Sequence, residues 1–384
     1  MRNGLNRRRQ GGNQPLTKSV AILADDLTGA LDAAAPFARP SESVRVSWRC
    51  DTLQGAARSA YDTESRAVGP RTATARIRSS LELLRAADLS FKKADSLVRG
   101  NTLAEIAACA SSGAFRSVVV APAFPEQGRI TRCGTQIVHS EGGGAAATID
   151  LAGGLVRRRV PVRLVGRGDT LPEQGVMLCD AETGADLLRL VDDGARLVPP
   201  VLWCGSAGLA RALGRHRPAA HRLAGPRLVV VGSRHSVARA QTERLRHEIG
   251  DAAVVVASGA DVIRSVGAIT DMLDTGRSCA LIFVFSALDP IAARMTMVGA
   301  FNRLAHAPPP GTLVVVGGDT LFRLCAALGA SSLLATGEWA PGIPVARIVG
   351  GCWDDVQLVA KSGAFADRNV LVRLLDSKAG ESCF

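Results

Sequence analysis

Lysine is scarce in this chain. It stands only at positions 18, 92, 93, 361 and 378, so nearly all of the formal net charge of +11 comes from arginine scattered along the sequence. Aromatic residues make up 4%, with a single Tyr. Scattered arginine without aromatic platforms is a poor surface for stacking bases, and we expect no nucleic-acid partner. No run of about 18 continuous apolar residues occurs, which excludes a membrane-spanning helix and leaves no membrane partner to expect. The nine cysteines form no CxxC pair and no metal-ligand spacing with the six histidines. Their odd number and apolar neighbours, as in Leu178-Cys179 and Leu324-Cys325, predict reduced, buried thiols in a cytoplasm and no catalytic thiol. No G-x-G-x-x-G follows the first strand, where Ala24-Asp25-Asp26-Leu27-Thr28-Gly29 stands instead, so a dinucleotide-dependent oxidoreductase is disfavoured. The first 18 residues are rich in Arg, Asn and Gly without an apolar core, which predicts a disordered tail and not a secretory signal.

What is present is an α/β pattern. The chain has 384 residues and 47% hydrophobic residues, enough for two domains with their own cores. Val20 to Ala24 predicts a buried parallel strand, ending in the paired carboxylates Asp25 and Asp26, a Thr28-Gly29 turn and a helix closed by Pro40. Ligands gather at the carboxyl ends of such strands. Asp25 is expected to point into that crevice, with Asp26 capping the helix.

A second dense segment is Phe91-Lys92-Lys93-Ala94-Asp95-Ser96-Leu97-Val98-Arg99-Gly100-Asn101. Mixed charge packed between apolar residues is costly unless a polar ligand completes it. On a strand running into a turn, Lys93, Asp95 and Ser96 share one face. Cations for a carboxylate or phosphate beside a carboxylate for hydroxyls suit a small polyol acid.

The C-terminal half opens afresh. Arg215 to Pro226 is basic, holds two prolines and lacks periodicity, so it reads as a linker between residues 19–214 and 227–384. Further on, Leu313 to Val316 breaks into Gly317-Gly318-Asp319-Thr320, followed by a helix with Leu321, Leu324, Cys325 and Leu328 on one face and Gly329 as its stop. A Gly-Gly turn at a helix N-terminus lets backbone N–H groups approach phosphate oxygens, although tight turns need glycine for geometry alone.

These segments together resemble the four-carbon acid sugar kinase family, ATP-dependent kinases of threonate, erythronate and 3-oxo-tetronate. Its ADDLTGA element matches Ala24 to Ala30 and its DTxSR element Asp62 to Arg66. Its K-x-DSTLRGN element matches Lys93 to Asn101, and its PAFPxxGR element Pro122 to Arg129. The GGET turn appears as Gly317 to Thr320, and KSGGFG as Lys361 to Ala366. The resemblance implies two domains, a sugar-acid-binding one at residues 19–214 and a nucleotide-binding one at 227–384. Each would carry a largely parallel sheet flanked by helices, with the active site in the cleft between them.

It further implies phosphoryl transfer from ATP–Mg²⁺ to a hydroxyl of a four-carbon sugar acid. Asp25 would orient or deprotonate that hydroxyl, with Asp95 as the rival. Lys93 and Arg66 would hold the substrate carboxylate, Ser96 would touch the substrate, and Arg99 would fix the loop or offset charge. Gly317, Gly318, Asp319 and Thr320 would cradle the phosphates, with Asp319 reaching Mg²⁺. Ser233 and Gly363 would line the nucleotide, although Arg99 and Gly363 have equally good structural explanations. Homo-oligomerisation is left open. Three departures lie near this site: Leu97 for a threonine, Asp319 for a glutamate, and a short Val138-His139-Ser140-Glu141 stretch leading into glycines and alanines. They keep an alternative alive, a catalytically silent nucleotide and sugar-acid sensor of the same fold.

Overall fold

The computed structural model describes residues 19–376, apart from 40, 54, 140–143, 216–220 and 285–288. The expected tail and part of the expected linker therefore lie outside the described residues, as does Pro40.

Two runs of mostly parallel strands make one 15-stranded sheet. In the N-terminal half Val20–Ala24 is central, flanked by Arg58–Asp62 and Leu89–Lys93, all parallel. Its successive chain neighbours lie on opposite sides, so a crevice opens at its carboxyl end. In the C-terminal half Arg227–Val231 lies between Cys279–Phe283 and Thr312–Val316, again parallel. These strands are buried on both faces, which is why they read as unbroken apolar runs in sequence.

The halves are joined edge to edge. Val44–Ser47 pairs antiparallel with Ser332–Ala340, with Val46 opposite Leu333 and Val44 opposite Ala335. Each edge strand thereby covers the other, which removes two exposed ladders. One apolar layer accordingly runs through both halves, from Ile22 and Phe91 to Val230 and Leu313. The opposite faces have separate cores, one around Leu23 and Ile106 and one around Val229 and Leu371.

A small antiparallel sheet of Arg129–Arg132, Thr135–His139 and Ala145–Asp150 projects from the N-terminal half. Its root grips the other half. Gln127 Nε2 donates to Pro341 O at 2.9 Å, and Arg129 Nη2 donates to Ala364 O at 2.9 Å. Phe124 and Phe365 meet edge to face at 5.7 Å, a pairing that contributes about 0.5–1.5 kcal/mol beyond burial. Arg211 and Glu338 form an ion pair across the same boundary.

Two expectations need correction here. Thr28 and Gly29 do not form a turn. The helix spans Leu27–Ala34, because Asp26 caps it and Asp26 Oδ1 accepts from Gly29 N at 2.8 Å. The cysteines are not uniformly buried either. Cys50, Cys133 and Cys352 are exposed, whereas Cys109, Cys179, Cys204, Cys279 and Cys325 are buried, and Cys383 lies outside the described residues. Among the described residues no helix is long and apolar enough to cross a membrane.

Strand alternation splits the two lysines of Leu89–Lys93. Lys93 shares the face of Phe91, and Lys92 turns to the other face, where its ammonium pairs with Glu105 at 2.8 Å and donates to Lys93 O at 2.7 Å. Both side chains are buried. Burial opposes the charge of Lys92, yet Glu105 and then Asp25 hold its pKa above the usual lysine value. A buried pair that loses one partner leaves an uncompensated charge, which costs about 3–5 kcal/mol. Lys92→Met should therefore lower unfolding stability by about that amount in urea titration, and adding Glu105→Leu should restore most of it.

Candidate active site

The end of Val20–Ala24 delivers Asp25 and Asp26, and the neighbouring strand Arg58–Asp62 delivers Arg66 across a tight turn. Arg66 binds both carboxylates. Its Nε and Nη2 donate to Asp25 Oδ2 and Oδ1 at 3.0 and 2.8 Å, and its Nη1 donates to Asp26 Oδ2. Burial works against the Asp25 carboxylate, but Arg66 and then Lys92 hold its pKa below the usual value. Burial also works against the guanidinium, and Asp26 and Asp25 more than offset it.

On the other side of Val20–Ala24, the turn after Lys93 presents Asp95. Its Oδ2 accepts from Arg99 N and Nε at 3.1 and 2.6 Å, and its Oδ1 accepts from Arg99 Nη2 at 3.1 Å. Burial of Asp95 is outweighed by Arg66 and by the bonds from Arg99, so its pKa is depressed strongly. Lys93 is buried, and its nearest carboxylate among the described residues is Asp32 Oδ2 at 3.9 Å. Asp26, Thr28, Gly29, Asp32, Arg66, Lys93, Asp95 and Arg99 thus face one cleft, closed from the other half by Gly342, Pro344, Ala360, Ser362 and Phe365. The void left among them is only ≈ 20 Å³, room for about one water.

The glycine turn packs against Asp26 and Thr28 at the edge of this cleft. Gly317 has φ 112°, a left-handed conformation that glycine tolerates, and the helix Gly318–Ala327 begins behind it. A Cβ on Gly318 would stand 2.5 Å from Asp26 Oδ2 and 3.0 Å from Thr28 Oγ1. The helix N-terminus therefore points at Asp26 and Thr28 of the N-terminal half. A Cβ on Gly363 would collide with Ser233 Oγ, so these two loops also pack against one another. Just beyond these two residues, His235 and Ala364 enter a second cavity of ≈ 1170 Å³ that Arg129, His139 and Trp339 also line.

Several expected site residues are placed differently. Asp25 does not point into the cleft: it is 1% exposed and sits beneath, clamped by Arg66, while Asp26 both caps the helix and faces the cleft. Alternation at the strand end, carried one residue into the turn, decides between them. Ser96 is buried and lies off the cleft. Asp319 is 69% exposed and held by Arg323 in two hydrogen bonds of 2.8 and 2.7 Å, which directs it away from the cleft. The Thr320 side chain is buried against Gly232. Asp32 was missed. Its only sequence signal is a carboxylate among the small apolar residues of Leu27–Ala34, on the stripe that Thr28 and Gly29 share at helical spacing.

Comparisons with known proteins match the two halves separately. Residues 20–148 match the sequence model of a sugar-binding N-terminal domain, and residues 228–371 that of a nucleotide-binding C-terminal domain. The chain is 31% identical to a D-threonate kinase of Bordetella bronchiseptica, over 92% of this chain and 96% of that one. It belongs to the four-carbon acid sugar kinase family. A D-threonate kinase of Cupriavidus necator is also 31% identical, over 92% of this chain and 96% of that protein. A D-erythronate kinase of Heliobacterium modesticaldum is 25% identical, over 93% and 96%. A solved Salmonella typhimurium structure described as a putative tRNA synthase shares the fold, with TM-score 0.71 at 19% identity over 94% of this chain and 99% of that one.

Within this four-carbon acid sugar kinase family member, the ADDLTGA and DTxSR elements meet through Arg66. Removing that guanidinium strands Asp25 and Asp26 together. Arg66→Met should cost about 3–5 kcal/mol at neutral pH by chemical denaturation. The deficit should shrink as pH falls toward about 5, because the carboxyls left without Arg66 take up protons that the wild-type Asp25, with its lowered pKa, does not.

Proposed function

We propose that this protein is an ATP-dependent kinase that phosphorylates a hydroxyl of a four-carbon sugar acid. The observation that carries the reading is the meeting of Asp26 and Thr28 with the bare Cα of Gly318, which sets a phosphate-type helix N-terminus against a cleft holding Lys93, Arg66 and three carboxylates. Relatives named D-threonate kinase and D-erythronate kinase span nearly the whole chain and support it.

Lys93 suits the substrate carboxylate, as a buried ammonium with no carboxylate closer than 3.9 Å. Carboxylates of the cleft suit the hydroxyls. The glycines at 317, 318 and 363 fit a triphosphate, because any Cβ at 318 or 363 would fill the approach. The ≈ 1170 Å³ cavity beyond Ser233 and Gly363 has room for the nucleoside. Asp26 fits Mg²⁺ better than Asp319 does, since it faces the cleft beside the glycine turn. Mg²⁺ would supply charge neutralisation between the phosphates. Arg66 holds Asp26 and Asp25 in place, Arg99 fixes Asp95, and closure of the halves excludes water from the transfer.

A coupled assay of ADP release across tetronate stereoisomers and their 3-oxo forms tests the reading. Turnover of at least one is expected; nucleotide binding without turnover of any would favour the silent sensor. Lys93→Met should raise KM for the acid roughly tenfold or more, since a charge-assisted contact contributes about 1.5–3 kcal/mol, and leave affinity for an ATP analogue nearly unchanged. Equal losses for both ligands would move Lys93 onto the transferred phosphate. Gly318→Val should abolish most binding of the ATP analogue in calorimetric titration, because the branched side chain fills the turn and displaces Asp26. Unchanged nucleotide affinity in a folded variant would remove the glycine turn from the site.

A further inference from the structure

A base for phosphoryl transfer must offer a free lone pair to the hydroxyl it activates. Among the described residues, four carboxylates stand in or beneath the cleft, and in three of them both oxygens already accept hydrogen bonds. Both oxygens of Asp25 accept from Arg66, and both oxygens of Asp95 accept from Arg99. Asp26 Oδ1 accepts from Gly29 N, and Oδ2 accepts from Thr28 Oγ1 and Arg66. Asp32 differs. Its Oδ1 is buried without a hydrogen-bond partner, its Oδ2 has only the Lys93 ammonium at 3.9 Å, and it lines the cleft. A buried, unsatisfied carboxylate oxygen costs free energy that a ligand hydroxyl would recover.

Its position on the helix adds to this. Thr28 abuts Gly318, and Asp32 lies one turn deeper on the same stripe, about 6 Å along the axis at 1.5 Å per residue. A sugar acid held by Lys93 would therefore lie between Asp32 and the glycine turn. We propose that Asp32 is the catalytic base of this kinase, accepting the proton of the substrate hydroxyl at Oδ1. The inference rests on the kinase reading above. The hydroxyl oxygen forms a bond to the γ-phosphorus of ATP, the bond from that phosphorus to the β,γ-bridging oxygen breaks, and its electron pair leaves with ADP. The proton passes to Asp32 and then to solvent when the cleft opens.

The surroundings tune this carboxylate for the task. Burial pushes Asp32 up to about 6, opposed by Lys93, with Asp26 and Asp95 raising it further and Arg211 lowering it. Glu338, paired with Arg211 on the facing strand, is also raised by burial, to about 7. Asp25 and Asp95, held low by arginines, are weaker proton acceptors.

The test is the steady-state kinetics of the full-length enzyme across pH, with the tetronate it turns over fastest. Asp32→Asn should lower kcat by about two to four orders of magnitude with little change in KM. Wild type should lose kcat/KM as pH falls through about 6, and the residual activity of Asp32→Asn should lack that limb. Persistence of the limb in the variant would place it on another group, such as Glu338 or the nucleotide phosphate, and overturn the proposal. Near-normal kcat in Asp32→Asn would overturn it too, as would a loss of kcat confined to Asp95→Asn. If Asp32→Asn fails to fold, the wild-type profile decides, since a flat profile from pH 5 to 7 contradicts a base titrating near 6. Failure of wild type to phosphorylate any four-carbon acid is a separate result, which removes the kinase reading and the base with it.

Discussion

Charge confined beneath the surface governs this molecule, and Arg66 is the group on which it turns. Its guanidinium satisfies Asp25 at the end of the central strand and Asp26 at the start of the first helix. Without it, two adjacent carboxylates would face each other in a poorly solvated crevice. With it, Asp26 is free to serve as a helix cap and to meet the glycine turn of the other half. The Lys92–Glu105 pair performs the same service on the opposite face of the sheet, where Ser65 Oγ also donates to Glu105 Oε1 at 2.5 Å. The DTxSR segment is thus anchored on both faces of the sheet, by Ser65 on one and Arg66 on the other.

The second constraint is that one site is assembled from two halves. The antiparallel seam between Val44–Ser47 and Ser332–Ala340 holds their edges together, while Gln127, Arg129 and Phe124 grip the loop from Ala364 to Ala366 above the cleft. The seam is backbone pairing with apolar flanks. The upper contacts are a few hydrogen bonds, one aromatic pair with Arg129 over the Phe365 ring, and the Arg211–Glu338 ion pair.

Much of the architecture was legible because parallel strands buried on both faces have an unmistakable apolar signature, as in Val20–Ala24, Arg227–Val231 and Thr312–Val316. The helix stop at Gly329 was legible for a similar local reason, its φ of 72° being easy only for glycine. Errors fell where local cues were ambiguous. Asp25 and Asp26 differ by one residue, and which one faces the cleft depends on the exact end of the strand. Asp319 matched a motif position but turned outward to Arg323, four residues along its own helix. Asp32 carried no motif signal, and its importance rests on what surrounds it.

The chain by itself determined the elements, the two halves and the chemical types gathered at the strand ends, because periodicity, glycine turns and caps act over a few residues. Only the tertiary structure decided which carboxylates are spoken for. Arg66 lies 41 positions from Asp25, and Gly318 lies 292 from Asp26. Contacts across such separations are set by packing, and they leave Asp32 with an oxygen that has no partner among the described residues.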